Sequence, residues 1–157
     1  MIDYAFLENC MKNAASLSDE DRAKCKRMLQ AFISHNDWVR LRKIASNLTN
    51  QAGVLAVYSF CKIINADDSV LFNVLFSYWL SGDGRSDKFS PHSEIKPAYE
   101  DFFHFCNDII LLQKAFDRIG INNSDYGAWL NLIKRQIKLL EENEIRISAQ
   151  QQITKPN

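Results

Sequence analysis

The residues best suited to chemistry in this chain are three histidines, four cysteines and scattered carboxylates. They come closest to a site around His104. Glu100 lies four residues before it, Asp101 three before it and Asp108 four after it. On a helix those offsets set carboxylates beside an imidazole, and such a set can ligate a metal. A di-metal bundle also needs a second Glu-x-x-His helix and further glutamates, which this sequence does not supply. The cluster therefore reads as a histidine with helical acidic neighbours, and no metal ligand is assigned. His35 and His92 fall in expected turns, with no serine or cysteine in a nucleophile elbow beside them. Asp83 and Asp87 among glycines suggest a calcium loop only superficially, since Arg85 and Lys88 interrupt the pattern and no closing glutamate follows. Phosphate-loop and dinucleotide fingerprints are both missing. The expectation is a protein that is not an enzyme and carries no cofactor.

The cysteines, Cys10, Cys25, Cys61 and Cys106, form neither a CxxC motif nor a Cys-His pair of zinc spacing. All four fall within apolar patterns, where free cysteine behaves as a small buried hydrophobe. The opening Met1-Ile2-Asp3-Tyr4 lacks a basic segment followed by a cleavable apolar one, so secretion is not expected. Both observations point to a reducing cytoplasm. Residues 52–64 and 70–80 are the longest apolar runs, at 13 and 11 residues. A spanning helix needs roughly 20, so no membrane contact is expected.

The elements that would position these residues are helical. Hydrophobic residues make up 46% and charged residues 24% of the 157, which excludes a disordered, collagen-like or disulfide-scaffold chain. The first proline is Pro91, which leaves long uninterrupted stretches. Ser18 is placed to cap a helix with Asp19, Glu20 and Asp21 in its first turn. Asp37 can cap the next, on which Trp38, Leu41, Ala45 and Leu48 share a face. The two apolar runs form a buried hairpin turning at residues 65–69. Phe72, Phe76 and Trp79 share a face there. Pro97 starts a helix whose Tyr99, Phe102, Cys106, Ile109, Gln113 and Phe116 keep a 3-4-3-4 spacing. Gly120 followed by Ile121 has the form of a glycine C-cap with its hydrophobic contact. The last helix begins at residues 123–125, and Ser148 onward reads as a loose tail. The expected architecture is all-α: a single-domain bundle of six or seven helices over residues 1–147, with a flexible tail over 148–157.

Charge order along the chain says more than its total. The 19 basic and 19 acidic residues cancel, which excludes a uniformly basic nucleic-acid binder. Yet residues 22–62 hold eight basic residues against Asp37, a net +7, and residues 63–110 hold three against eight, a net −5. Lys24, Lys26 and Arg27 fall away from the apolar stripe of their helix, and Arg40 and Lys43 share the exposed side of the next. Such a face can neutralise phosphates without reading sequence. A helix-turn-helix reading fails, because the would-be recognition helix presents Val54-Leu55-Ala56-Val57 and nothing that reads base edges. The long irregular segment 81–96 offers a protein-binding set of Phe89 as apolar anchor with Asp83 and Asp87.

Residues 38–79 resemble the small helical subunit of RNA-guided CRISPR effector complexes, particularly of the type III-B family. The shared features are Trp38 ahead of the pair Gly53-Val54, then an apolar helix with Phe60 and Lys62, then a helix ending in Trp79-Leu80. Tyr99, Lys114 and Phe116 loosely match the family's last helix. The family's usual proline before the glycine is missing, with Ser46 near that place, and the helix after residue 125 looks like an addition. The resemblance implies a non-catalytic subunit that stacks in copies and holds a guide–target backbone with basic side chains. Expected partners are other protein subunits, copies of itself included, and RNA or single-stranded nucleic acid. The rival expectation is a protein-binding inhibitor: an immunity protein, an antitoxin or a phage-encoded anti-defence protein.

Overall fold

A computed structural model describes residues 2–32, 34–80 and 88–154. The fold is all-α. Among the described residues there is no strand, and eight α-helices follow one another: α1 (Tyr4–Lys12), α2 (Asp19–Gln30), α3 (His35–Thr49), α4 (Gly53–Ile63), α5 (Asp68–Leu80), α6 (Lys96–Phe105), α7 (Ile109–Ile119) and α8 (Gly127–Thr154).

Short polar side chains set most of the boundaries. The Asp3 carboxylate accepts the Phe6 N–H at 3.0 Å and starts α1. Ser18 caps α2 as expected, its hydroxyl accepting the Asp21 N–H at 3.2 Å, with three carboxylates in the first turn against the positive helix end. The helix after it begins three residues earlier than expected. Ser34 is its N-cap, and Asp37 lies inside the first turn, reaching back to accept the Ser34 N–H at 3.3 Å. Asn50 ends α3 and Asn65 turns between α4 and α5, both at φ 58°, a conformation asparagine tolerates better than branched residues do.

The largest departure from the expected helices lies at residues 106–108. One continuous helix to Phe116 is replaced by α6 and α7, which raises the count to eight. Asp108 makes the break, its carboxylate accepting the N–H groups of Ile110 and Leu111 at 2.9 and 3.3 Å. The buried face of α7 is consequently Leu111, Leu112, Ala115 and Ile119 rather than Ile109, Gln113 and Phe116. Gly120 closes α7 at φ 92°, as the sequence implies, but Ile121 is 70% exposed and makes no buried cap contact. At the far end, α8 continues to Thr154, so residues 148–154 are helical instead of loose. Nothing between Gly127 and Thr154 breaks a helix, and proline appears only at Pro156.

The chain forms two compact units, Met1–Phe102 and Phe103–Asn157. In the first, α3 and α5 both pack on α4, and α1 lies against α2 and α3. Val57, Cys61, Ile64, Val74, Leu75 and Phe76 fill its centre, each large apolar side chain contributing roughly 1.5–3 kcal/mol by leaving water. Phe76 stacks on Phe72 and on Phe89 at centroid distances of 4.8 and 5.7 Å. The α3–α4 crossing is the tightest point. A Cβ on Gly53 would stand 2.6 Å from the Arg42 carbonyl oxygen and 2.7 Å from the Arg42 Cβ. In the second unit α7 packs on α8. Trp129 meets Phe103 edge-on at 5.5 Å and Tyr126 at 4.9 Å, and Gln136 donates to the Cys106 carbonyl at 3.0 Å. From residue 141 to 150 every position of α8 is exposed.

Candidate functional site

The cations expected to form a basic face stand on α2 and α3, two of them against rings of α1. On α2 the buried residues are Cys25 and Leu29. Advancing about 100° per residue, Arg27 points away from them, while Lys24 and Lys26 lie on opposite flanks. The three therefore do not share one patch. Lys24 turns toward α1, its ammonium lying 4.1 Å from the centre of the Phe6 ring. Arg27 is exposed and Lys26 half-buried. On α3, Arg40 and Lys43 are both exposed, about 60° apart on one side. The Arg40 guanidinium lies 4.1 Å over the Tyr4 ring, and the Tyr4 hydroxyl donates to Asp37 at 3.2 Å. Burial, then the nearby Asp37 carboxylate, push the Tyr4 pKa upward. Among the described residues none of Lys24, Lys26, Arg27, Arg40 and Lys43 is in an ion pair. Asp3 and Asp37 line an open depression with Arg40, so the face is mixed at that edge.

Lys62, from the same basic stretch, is engaged differently. It reaches Asp101 at 3.5 Å, and that carboxylate also accepts from the Tyr58 hydroxyl at 2.6 Å. Two of the three acidic neighbours of His104 are thus committed elsewhere: Asp101 to Tyr58 and Lys62, Asp108 to the start of α7. Among the described residues no three His, Cys, Asp or Glu side chains converge as a metal site.

The expected protein-binding set needs correcting at Phe89. Its ring is 1% exposed, held 5.0 Å from Trp79 and 5.6 Å from Tyr99. It fills the aromatic core and offers no surface anchor, because the apolar face of α5 is close enough to bury it. Asp83 and Asp87 lie outside the described residues.

The four cysteines are outside any disulfide and buried, as their apolar surroundings imply. Burial pushes Cys10 up, and raises Cys25 and Cys61 to about 12. Ionised, reactive thiolates are therefore disfavoured.

Sequence reasoning counted Arg42 among the basic residues without singling it out. The structure turns it inward. Its Nη2 donates to the Val74 carbonyl at 2.6 Å and to the Ser77 hydroxyl at 2.9 Å, while its Nε is buried without a hydrogen-bond partner. The guanidinium borders a cavity of about 370 Å³ together with Val54, Tyr78, Trp79, His92 and Tyr99. One signal was available: Arg42 follows Trp38 by four residues, which places it beside the apolar stripe.

No helix among the described residues is long and apolar enough to cross a membrane. No protein-family model matches the chain, no curated protein matches it in sequence, and no solved structure matches its fold.

Proposed function

We propose that this chain is a non-catalytic binding subunit of a larger, cytoplasmic assembly, and that the face built by α1, α2 and α3 holds a nucleic-acid backbone. The observation that carries this reading is the set of exposed cations without ion pairs, two of them resting on rings of α1. A cation held on a ring loses less freedom on meeting a phosphate, and one without a carboxylate has its whole charge to offer. Contact of this kind positions a strand without specifying its sequence.

The most specific form of the proposal is the small helical subunit of a CRISPR effector complex, stacked in copies along guide RNA and target. Its support is the order of elements: Trp38 on α3, Gly53-Val54 opening α4, Phe60 and Lys62 further along α4, and α5 ending in Trp79-Leu80. Purification from the source organism is expected to recover guide RNA and CRISPR subunits with the chain; recovery of neither removes that form. The broader proposal is tested by single-stranded RNA binding. Charge reversal at Arg27, Arg40 and Lys43 should weaken it strongly, and unchanged affinity would rule out this surface.

A second reading, the protein-binding inhibitor, is favoured by one observation. Phe105 and Ile110 are 63% and 65% exposed on either side of the Asp108 turn. A toxin reading frame immediately upstream of the gene would support it.

A further inference from the structure

Arg42 carries a charge that the fold does not neutralise. Arginine stays protonated in proteins, and a charge withdrawn from water is normally matched by a partner of opposite sign. Here the acceptors of Nη2 are a carbonyl and a hydroxyl, both neutral. Nε has no acceptor, and Nη1 has none among the described residues. Burial lowers the guanidinium's pKa, and the main influence that opposes this is the hydroxyl of Tyr99. No carboxylate stands against it among the described residues.

The same side chain is also fixed in place. Its backbone is pressed against Gly53 with no room for even a methyl group between them. Its outer end is tied to two positions of α5. Tyr99, across the cavity, is itself anchored, donating to the Leu75 carbonyl and accepting from Trp79 Nε1 at 3.1 Å. Preorganised donors that remain unsatisfied in the resting protein are a common mark of a binding site.

We propose that the cavity beside Arg42 is a ligand site for a small carboxylate with an apolar or aromatic body. Its volume, about 370 Å³, falls within the roughly 300–1,000 Å³ typical of small-molecule pockets. Val54, Leu75, Trp79, Pro91 and Ile95 give it apolar walls, and the exposed His92 adds a polar group at the border. A single guanidinium suits a planar monoanion. Phosphate, with more charge, would find no second arginine and no lysine among the described lining residues. The ligand's carboxylate takes the remaining guanidinium donors and its body displaces water from the walls. This site is separate from the basic face, whose exposed cations do not line the cavity, so either assignment can fail alone.

The test uses the full chain with phenylacetate and hexanoate as probes, and phenylacetamide, hexanamide and inorganic phosphate as controls. Binding is followed by thermal shift and by tryptophan fluorescence, to which Trp79 in the cavity wall contributes. The carboxylates are expected to raise Tm and alter the emission at millimolar concentration, and the amides and phosphate to do neither. Arg42→Met should weaken carboxylate binding at least about tenfold. Val54→Trp, which fills the cavity and leaves the guanidinium in place, should abolish it. If Arg42→Met does not fold, Val54→Trp and the NMR shift of the Arg42 Nε–H in the parent carry the test. Three outcomes overturn the proposal: no response to either carboxylate, an equal response to the amides or to phosphate, or a response that survives Val54→Trp.

Discussion

Two neighbouring residues, Arg42 and Gly53, decide how α3 and α4 meet. Alanine is ordinarily the better helix former by about 1 kcal/mol. At position 53 that preference is overruled, because the new Cβ would fall 2.6 Å from a backbone oxygen. Gly53→Ala is therefore expected to destabilise the fold by about 1–3 kcal/mol, as overpacking of a tight contact does. A lower urea midpoint at unchanged slope is the readout. The thiols give a second prediction at this scale. Cys25 and Cys61 are raised from 9.0 to about 12 in the folded chain. Below pH 9 both states keep these protons, so the stabilisation is fully present there. Between pH 9 and 12 the unfolded chain releases them first, and stability falls as the pH rises through that window. The urea midpoint should drop over that window, and Cys25→Ala and Cys61→Ala should each make the drop shallower.

Helix boundaries were legible where a side chain caps its own helix and illegible where periodicity ran through a break. Ser18 and Gly120 behave as their types imply. The stretch 97–116 misleads because Cys106 and Ile109 keep a helical spacing across a turn that is not helical. There the Asp108 carboxylate satisfies two backbone N–H groups at once, a local alternative that competes with continuing the helix. Asp108→Ala should cost about 1 kcal/mol, the usual worth of an N-cap, seen in the urea midpoint. The end of α8 gives the opposite expectation. Its residues from 141 to 150 are all exposed, so they add helical signal without burying a core. Ending the chain after residue 140 should lower the mean residue ellipticity and leave the urea midpoint unchanged. A drop in midpoint would mean that the exposed turns stabilise the fold.

Over the whole molecule, zero net charge conceals an uneven distribution along the chain. The basic stretch does not act as one unit once folded: Arg42 is drawn inward, Lys62 meets Asp101, and Lys26 sits on a different flank of α2 from Lys24. What remains for an outside partner is Arg27, Arg40 and Lys43, with Lys24 beside Phe6. If these neutralise phosphates of a single strand, replacing Arg27, Arg40 and Lys43 by alanine should reduce the slope of log affinity against log salt by about 2. An unchanged salt slope would show that other groups make the contact.

Composition, apolar periodicity and cap chemistry are local properties, and by themselves they determined that the chain is helical, where most helices begin, and that the cysteines are buried. They depend on neighbours a few residues away, which the sequence displays directly. The fates of Phe89 and Arg42 depend on residues far along the chain. Phe89 is buried by Phe76, Trp79 and Tyr99, and Arg42 is turned inward by acceptors at Val74 and Ser77. Tertiary structure alone decided these, because whether a ring or a charge meets solvent is settled by what packs across from it.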